Sequence, residues 1–243
     1  MSLERVTVTL DKPLLSRIDA RVDGLRLKNR SHAVNHLLRR ALSAEDLSKA
    51  LVLAGSAPNL KSLELVLLRL KAFGIFEVYL ALSKGGEAAV SRFHDGAALG
   101  MELNYLWDEG KGSALALRNA AHLFREEFVL SYADVLYPGL DLEDLHRFHE
   151  LHGGACTLAL ASVSDPHNYG VAKLSGSRII DFQEKPKRTS SYLINAGIAV
   201  CDPRVFSFIS PGMKRLEEDL LPVLASRGEL YGYAYSGEWK HLG

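Results

Sequence analysis

Ala50-Leu51-Val52-Leu53-Ala54-Gly55 is an unbroken apolar run closed by glycine, the pattern of a strand buried on both faces of a parallel sheet. Beyond it, helical and strand patterns alternate. Apolar spacing predicts a helix over Leu63–Phe73 ended by Gly74, and a strand over Phe76–Leu82. The same reading gives a helix over Ser113–Leu123, a strand over Phe128–Tyr132, a helix over Leu142–Leu151 and a strand over Thr157–Val163. Alternation of this kind implies an α/β layered domain with a mixed, mainly parallel sheet, whose ligands bind beyond the carboxyl ends of the strands.

Upstream of this run the period and the charge both change. The 243 residues hold 29 basic and 29 acidic side chains, a neutral total. Residues 1–43 hold nine basic and four acidic groups, so that segment carries +5 and the remainder −5. A basic module on a mildly acidic body is the natural reading. The polar stretch Ser43–Ser48 separates them, giving expected domains of 1–43 and 49–243.

Arg5-Val6-Thr7-Val8-Thr9-Leu10 alternates strictly and reads as a half-buried strand. Asp11 is placed to cap a helix with Pro13 in its first turn, and Leu14, Leu15, Ile18 and Val22 recur at helical spacing. Asp23-Gly24 stops that helix, and Ser31 opens a second one with an apolar face of Val34, Leu37, Leu38, Ala41 and Leu42. One strand and two short helices cannot close a core, so the economical solution is a homodimer with paired strands.

This order over residues 4–42 resembles the ribbon-helix-helix family of DNA-binding regulators. The resemblance implies double-stranded DNA as a partner, with Arg5, Thr7 and Thr9 reading bases from the paired strands. Arg30 and Ser31 at the second helix, with Lys28 beside them, would hold phosphate.

The body from Lys49 onward resembles the sugar-1-phosphate nucleotidyltransferases, a Rossmann-like (GT-A-like) fold. The carriers are Leu53-Ala54-Gly55, Leu70–Ile75, Gly112-Ser113-Ala114, Ala133-Asp134-Val135-Leu136, Tyr169-Gly170-Val171, Glu184-Lys185-Pro186, Asn195-Ala196-Gly197 and the segment from Trp239 to Gly243. The resemblance implies a metal aspartate at Asp134 and a sugar-phosphate side formed by Tyr169, Gly170, Glu184, Lys185 and Asn195.

The departures fall on the chemistry. Family members follow Leu-Ala-Gly with a G-x-G-T-R loop and a Pro-Lys that together hold triphosphate; here Ser56-Ala57-Pro58-Asn59 leads almost at once into a helix, with Lys61 as the nearest cation. The second metal aspartate of a W-x-D-x-G motif is His241, and magnesium prefers oxygen.

These features lead to an expected dimeric, DNA-binding transcription regulator with no catalytic residues and no cofactor, its body sensing a sugar phosphate or nucleotide sugar or serving as an assembly platform. The alternative is an active sugar-1-phosphate nucleotidyltransferase using Mg²⁺. His146, His149 and His152 read as a solvated helix face rather than a metal site, and Cys156 and Cys201 as core thiols. No run approaches eighteen apolar residues, the first residues lack the apolar core of a secretory signal, and two cysteines make no disulfide framework. A cytoplasmic setting without membrane contact is expected.

Overall fold

The structure is a computed structural model that describes residues 6–20, 22, 29–31, 33–34, 37–38, 47–108 and 112–242. Two compact units emerge, Met1–Glu45 and Asp46–Gly243.

In the first unit, helix α1 (Lys12–Asp19) starts where the sequence placed it. Asp11 Oδ1 accepts from the Leu14 N–H at 2.7 Å, and Pro13 stands in the first turn, where a missing N–H costs nothing. Arg30, Ser31, Ala33, Val34, Leu37 and Leu38 are helical. The expected strand is not formed over its described part, Val6–Leu10. A ribbon strand has no hydrogen-bonding partner within one chain. Arg5, Gly24 and Lys28 lie outside the described residues.

In the second unit, a nine-stranded sheet runs in the order β3-β2-β1-β4-β9-β6-β10-β8-β7. Its strands are β1 (Lys49–Gly55), β2 (Glu77–Leu82), β3 (Glu102–Trp107), β4 (Phe128–Tyr132), β6 (Cys156–Ser162), β7 (Gly170–Ser175), β8 (Arg178–Glu184), β9 (Leu193–Cys201) and β10 (Leu230–Ala234). A separate ribbon pairs β5 (Val135–Leu136) with β11 (Lys240–His241). The sheet is parallel from β3 to β4 and between β6 and β10, but antiparallel elsewhere. The expectation of a mainly parallel sheet therefore needs correction: β9 enters antiparallel between β4 and β6.

Strand alternation sorts side chains into two cores. Ala50, Val52, Val78, Leu80 and Val129 face α2 (Leu60–Ala72), α3 (Glu87–Phe93) and α5 (Leu142–His152). Leu51, Ala81, Phe128 and Leu130 face α4 (Ser113–Asn119) and α6 (Leu221–Arg227) on the other side. Helix α2 begins at Leu60, earlier than its apolar face suggested, because the Asn59 side chain accepts from the Lys61 and Ser62 N–H groups at 3.1 Å. Helix α4 stops at Asn119, and a separate 3₁₀ turn covers Ala121–Leu123.

The histidine face of α5 is not solvated. His146 and His149 are 3% and 1% exposed, with His146 Nε2 at 2.6 Å from Glu127 and His149 Nδ1 at 2.8 Å from Thr157 Oγ1. Among the described residues no group of three or more His, Cys, Asp or Glu side chains could hold a metal ion. Cys156 and Cys201 are buried opposite one another on β6 and β9, with sulfurs 3.7 Å apart. Among the described residues no helix is long and apolar enough to cross a membrane.

Candidate functional site

Because β1, β2, β3 and β4 are parallel, their carboxyl ends share one edge of the sheet. A cavity of about 470 Å³ opens there. Ser56 follows β1 into its wall, Ser83 and Lys84 follow β2, and Asp108 follows β3. The start of α4 contributes Ser113, and the end of β4 contributes Tyr132 and Asp134.

The floor of this cavity is tightly specified. Gly112 has φ +120°, and a Cβ there would lie 2.2 Å from the Lys214 carbonyl oxygen. That carbonyl accepts from the Ala114 N–H at 3.0 Å, while Ser113 Oγ accepts from the Leu216 N–H at 2.9 Å. Segment 214–216 is thereby clamped on the start of α4. It leads into a single π-helical turn, Leu216–Leu220, which carries Glu217. Turns of this kind are rare and concentrate at functional sites. Glu217 accepts a hydrogen bond from the Tyr132 hydroxyl.

Asp134 is held by its main chain and faced by a histidine. Its carbonyl accepts from the Leu242 N–H at 2.7 Å, and the β5–β11 pairing brings His241 Nε2 to 3.5 Å from Asp134 Oδ2. Both side chains remain nearly half exposed, at 44% for His241 and 47% for Asp134. Trp239 fixes this ribbon by donating from Nε1 to the Ala196 carbonyl at 3.1 Å, and Tyr169 meets it edge-on at 4.9 Å.

The expected sugar-phosphate residues divide. Tyr169, Gly170, Glu184 and Lys185 come together where β7 pairs with β8: Gly170 stands opposite Glu184, and the Lys185 N–H donates to the Tyr169 carbonyl at 3.0 Å. Lys185 takes φ +44°, which is strained for a lysine, and its Nζ is 3.8 Å from Glu184 Oε1. A Cβ at Gly170 would sit 3.0 Å from Glu184 Oε2 and 2.5 Å from Phe182 Cζ, so the glycine leaves room for the carboxylate. The Asn195 side chain accepts from the Gly197 N–H at 3.0 Å and thus bonds the main chain.

Tyr132 lines the cavity beside Asp134. Burial, then the Glu217 carboxylate, pushes its phenol far above the ordinary range, with Glu184 and Asp134 acting the same way. Burial likewise raises the Glu184 carboxyl, and Glu217 adds to the rise. Lys84, Tyr132 and Glu217 carry no motif of their own. The faint signal was the Ser83-Lys84-Gly85-Gly86 turn closing a strand, and Lys84, rather than Lys61, lines the cavity.

In the N-terminal unit, Thr7 and Thr9 are exposed. Ser31 is exposed and helical, and Arg30, expected on phosphate, instead grips Asp19: Nε and Nη2 each lie 2.7 Å from a carboxylate oxygen. That guanidinium holds the Asp19 carboxyl below its usual range. Arg5 and Lys28 fall outside the described residues.

The family model described as "Nucleotidyl transferase" matches residues 42–243. The chain belongs to the nucleotidyl transferase family. It is 31% identical over 185 residues to a mannose-1-phosphate guanylyltransferase of Mycobacterium tuberculosis, covering 73% of the chain and 51% of that protein. It is 33% identical over 144 residues to the mannose-1-phosphate guanyltransferase of Saccharomyces cerevisiae, covering 56% of the chain and 39% of that protein. A solved structure titled as a putative glucose-1-phosphate thymidylyltransferase from Bacillus anthracis, in complex with a sucrose, shares the fold. Its TM-score is 0.71 at 22% identity, covering 79% of this chain and 89% of that one. HddC from Yersinia pseudotuberculosis matches with TM-score 0.68 at 15% identity, covering 81% of this chain and 94% of that one. The chain spans about half or less of the length of the named relatives it matches.

These relatives overturn the expectation of a DNA-binding transcription regulator. Proteins matching the body are named for guanylyl transfer, and the matching family model is that of a nucleotidyl transferase, not of a DNA-binding regulator. The expectation of no cofactor falls with it, because the transfer those relatives are named for draws on a nucleoside triphosphate, whose charge a divalent cation offsets.

Proposed function

We propose that the chain is a sugar-1-phosphate nucleotidyltransferase. In this reaction a sugar 1-phosphate oxygen attacks the α-phosphorus of a nucleoside triphosphate, the bond to the β-phosphate breaks, and pyrophosphate leaves. The observation that carries the reading is the cavity at the carboxyl ends of β1 to β4. Asp134 and Tyr132 both lie in its wall. Family membership and the names of the relatives support it.

The residues present fit Mg²⁺. That ion keeps several waters and takes one or two carboxylates together with substrate phosphates, so a full protein cage is not required. Asp134, half-buried in the cavity wall, would supply the carboxylate, and Asp108 lines the same wall. When bound, the ion offsets negative charge on the phosphates. Tyr169, Gly170, Glu184 and Lys185 would orient the sugar phosphate, Glu184 accepting from sugar hydroxyls and Lys185 facing phosphate. Asn195 would shape that pocket through the main chain. In this reading residues 49–243 carry the chemistry.

Pyrophosphate release from the full chain, assayed with Mg²⁺ across nucleoside triphosphates and sugar 1-phosphates, is the test. Release abolished by Asp134→Asn is expected. Absence of turnover at high protein concentration with every pair would overturn the reading.

For residues 1–43 we infer a ribbon-helix-helix-like element that pairs two copies. Val6 and Val8 support it, being 75% and 62% exposed in the single chain, as strand residues awaiting a partner would be. Sedimentation of the full chain should show a dimer, and Val6→Glu with Val8→Glu should shift it to monomer. An unchanged dimer would refute this pairing.

A further inference from the structure

We propose that Lys84 is the phosphate-binding cation of this site, holding a nucleotide's polyphosphate where the chain lacks a glycine-rich loop. The inference rests on the nucleotidyltransferase reading above.

Charge is the first argument. The groups lining the cavity include the Asp134 carboxylate and, among the described residues, a single cation, Lys84. A nucleoside triphosphate brings several further negative charges into this wall. Without a protein cation the site would repel it. Lys84 is exposed and, among the described residues, neither its ammonium's ion pairs nor its hydrogen bonds commit it to another group. Two other cations of the body differ: Lys185 faces Glu184 at 3.8 Å, and Arg215 is paired with Glu218 at 2.7 Å.

Backbone geometry is the second. Only Ser56-Ala57-Pro58-Asn59 lie between β1 and α2, because Asn59 caps the helix immediately. The turn after β2 packs directly on this short connection. The Ser83 N–H donates to the Gly55 carbonyl at 2.9 Å. Gly85 takes φ +99°, and a Cβ there would lie 2.5 Å from the Ser56 carbonyl oxygen, a contact only glycine permits. The residues on either side of Lys84 are thus fixed against the cavity rim while its own side chain stays free. A short β1–α2 connection is what lets this turn reach the rim. The Ser56 and Ser83 hydroxyls in the same wall add neutral donors. A lysine on a four-carbon stem acts as a point charge able to follow a mobile phosphate chain.

Calorimetric titration of the full chain with GTP, GMP and guanosine, at fixed ionic strength with Mg²⁺, tests the assignment. Lys84→Ala should weaken GTP binding about tenfold or more, the loss of one charged hydrogen bond, and leave guanosine unchanged. Lys84→Arg should recover most of the affinity. If the wild-type chain binds GTP and Lys84→Ala binds it equally well, the assignment is wrong while the nucleotidyltransferase reading stands. An equal loss for guanosine would mean that Lys84 packs against the nucleoside, which also overturns it. A wild-type chain that binds none of the three overturns the reading beneath as well. The side chain makes no bond that holds the fold, so the variants remain folded.

Discussion

His241 Nε2 stands 3.5 Å from Asp134 Oδ2, across the ribbon in which β5 pairs with β11. Two donors at that separation can share one cation, but an imidazole nitrogen suits Mg²⁺ less well than a second carboxylate. His241→Asp should therefore raise Mg²⁺ affinity about tenfold, measured by calorimetry in the presence of nucleotide. Affinity equal to wild type would show that His241 does not face the ion.

Gly112→Ala should destabilise the body by about 3 kcal/mol, since the residue needs a positive φ and a Cβ would strike the Lys214 carbonyl 2.2 Å away. Gly212, which has open space around it, is the control: Gly212→Ala should shift the urea midpoint little. Equal midpoints for the two variants would contradict the clamp between segment 214–216 and α4.

Tyr132→Phe deletes the donor to Glu217 and leaves a partly buried carboxylate short of a partner. A loss of about 1 kcal/mol is expected by chemical denaturation. Glu217→Gln keeps an acceptor for the tyrosine, so it should lose less. The reverse ranking would place the importance of this contact elsewhere.

Burial lowers the pKa of His149, and this outweighs the opposing pull of Glu127, 3.6 Å away. His146 and Arg204 add to the lowering, and Asp202 opposes it. A histidine depressed in the folded state stays neutral there while its unfolded counterpart takes a proton. Its stabilising share is complete above about pH 6.5 and is lost as pH falls from there through the folded value. Urea midpoints should decline below about pH 6.5, and His149→Gln should flatten that decline. An unchanged slope in the variant would assign the acid sensitivity to other groups.

Much of the body was legible. The strand expected over Phe128–Tyr132 is β4, and the run read as Ala50–Gly55 is β1 with one residue added. Each obeys its own period, because apolar residues must face a core whichever neighbour supplies it. The helix starting at Leu60 was missed at its first turn, since Asn59 acts through a cap and not through apolar spacing. His146 and His149 were misplaced in solvent. Their burial depends on Glu127 and Thr157, which lie outside the helix that carries them. Asp134, Tyr169, Glu184 and Lys185 are singled out by motif, whereas Lys84, Tyr132 and Glu217 are not, because none belongs to a spaced pattern.

By itself, then, the sequence determined four of the strands, among them β1 and β4, the shortness of the connection after Gly55, and the histidine at position 241. Those are local properties, written in residue type and spacing. The tertiary structure alone decided that β9 lies between β4 and β6, that the Lys84 turn rests on Ser56, and that His241 meets Asp134. Such contacts join residues far apart in the chain. Their free energy comes from pairing and burial that no single segment can express, so they leave no periodicity to read.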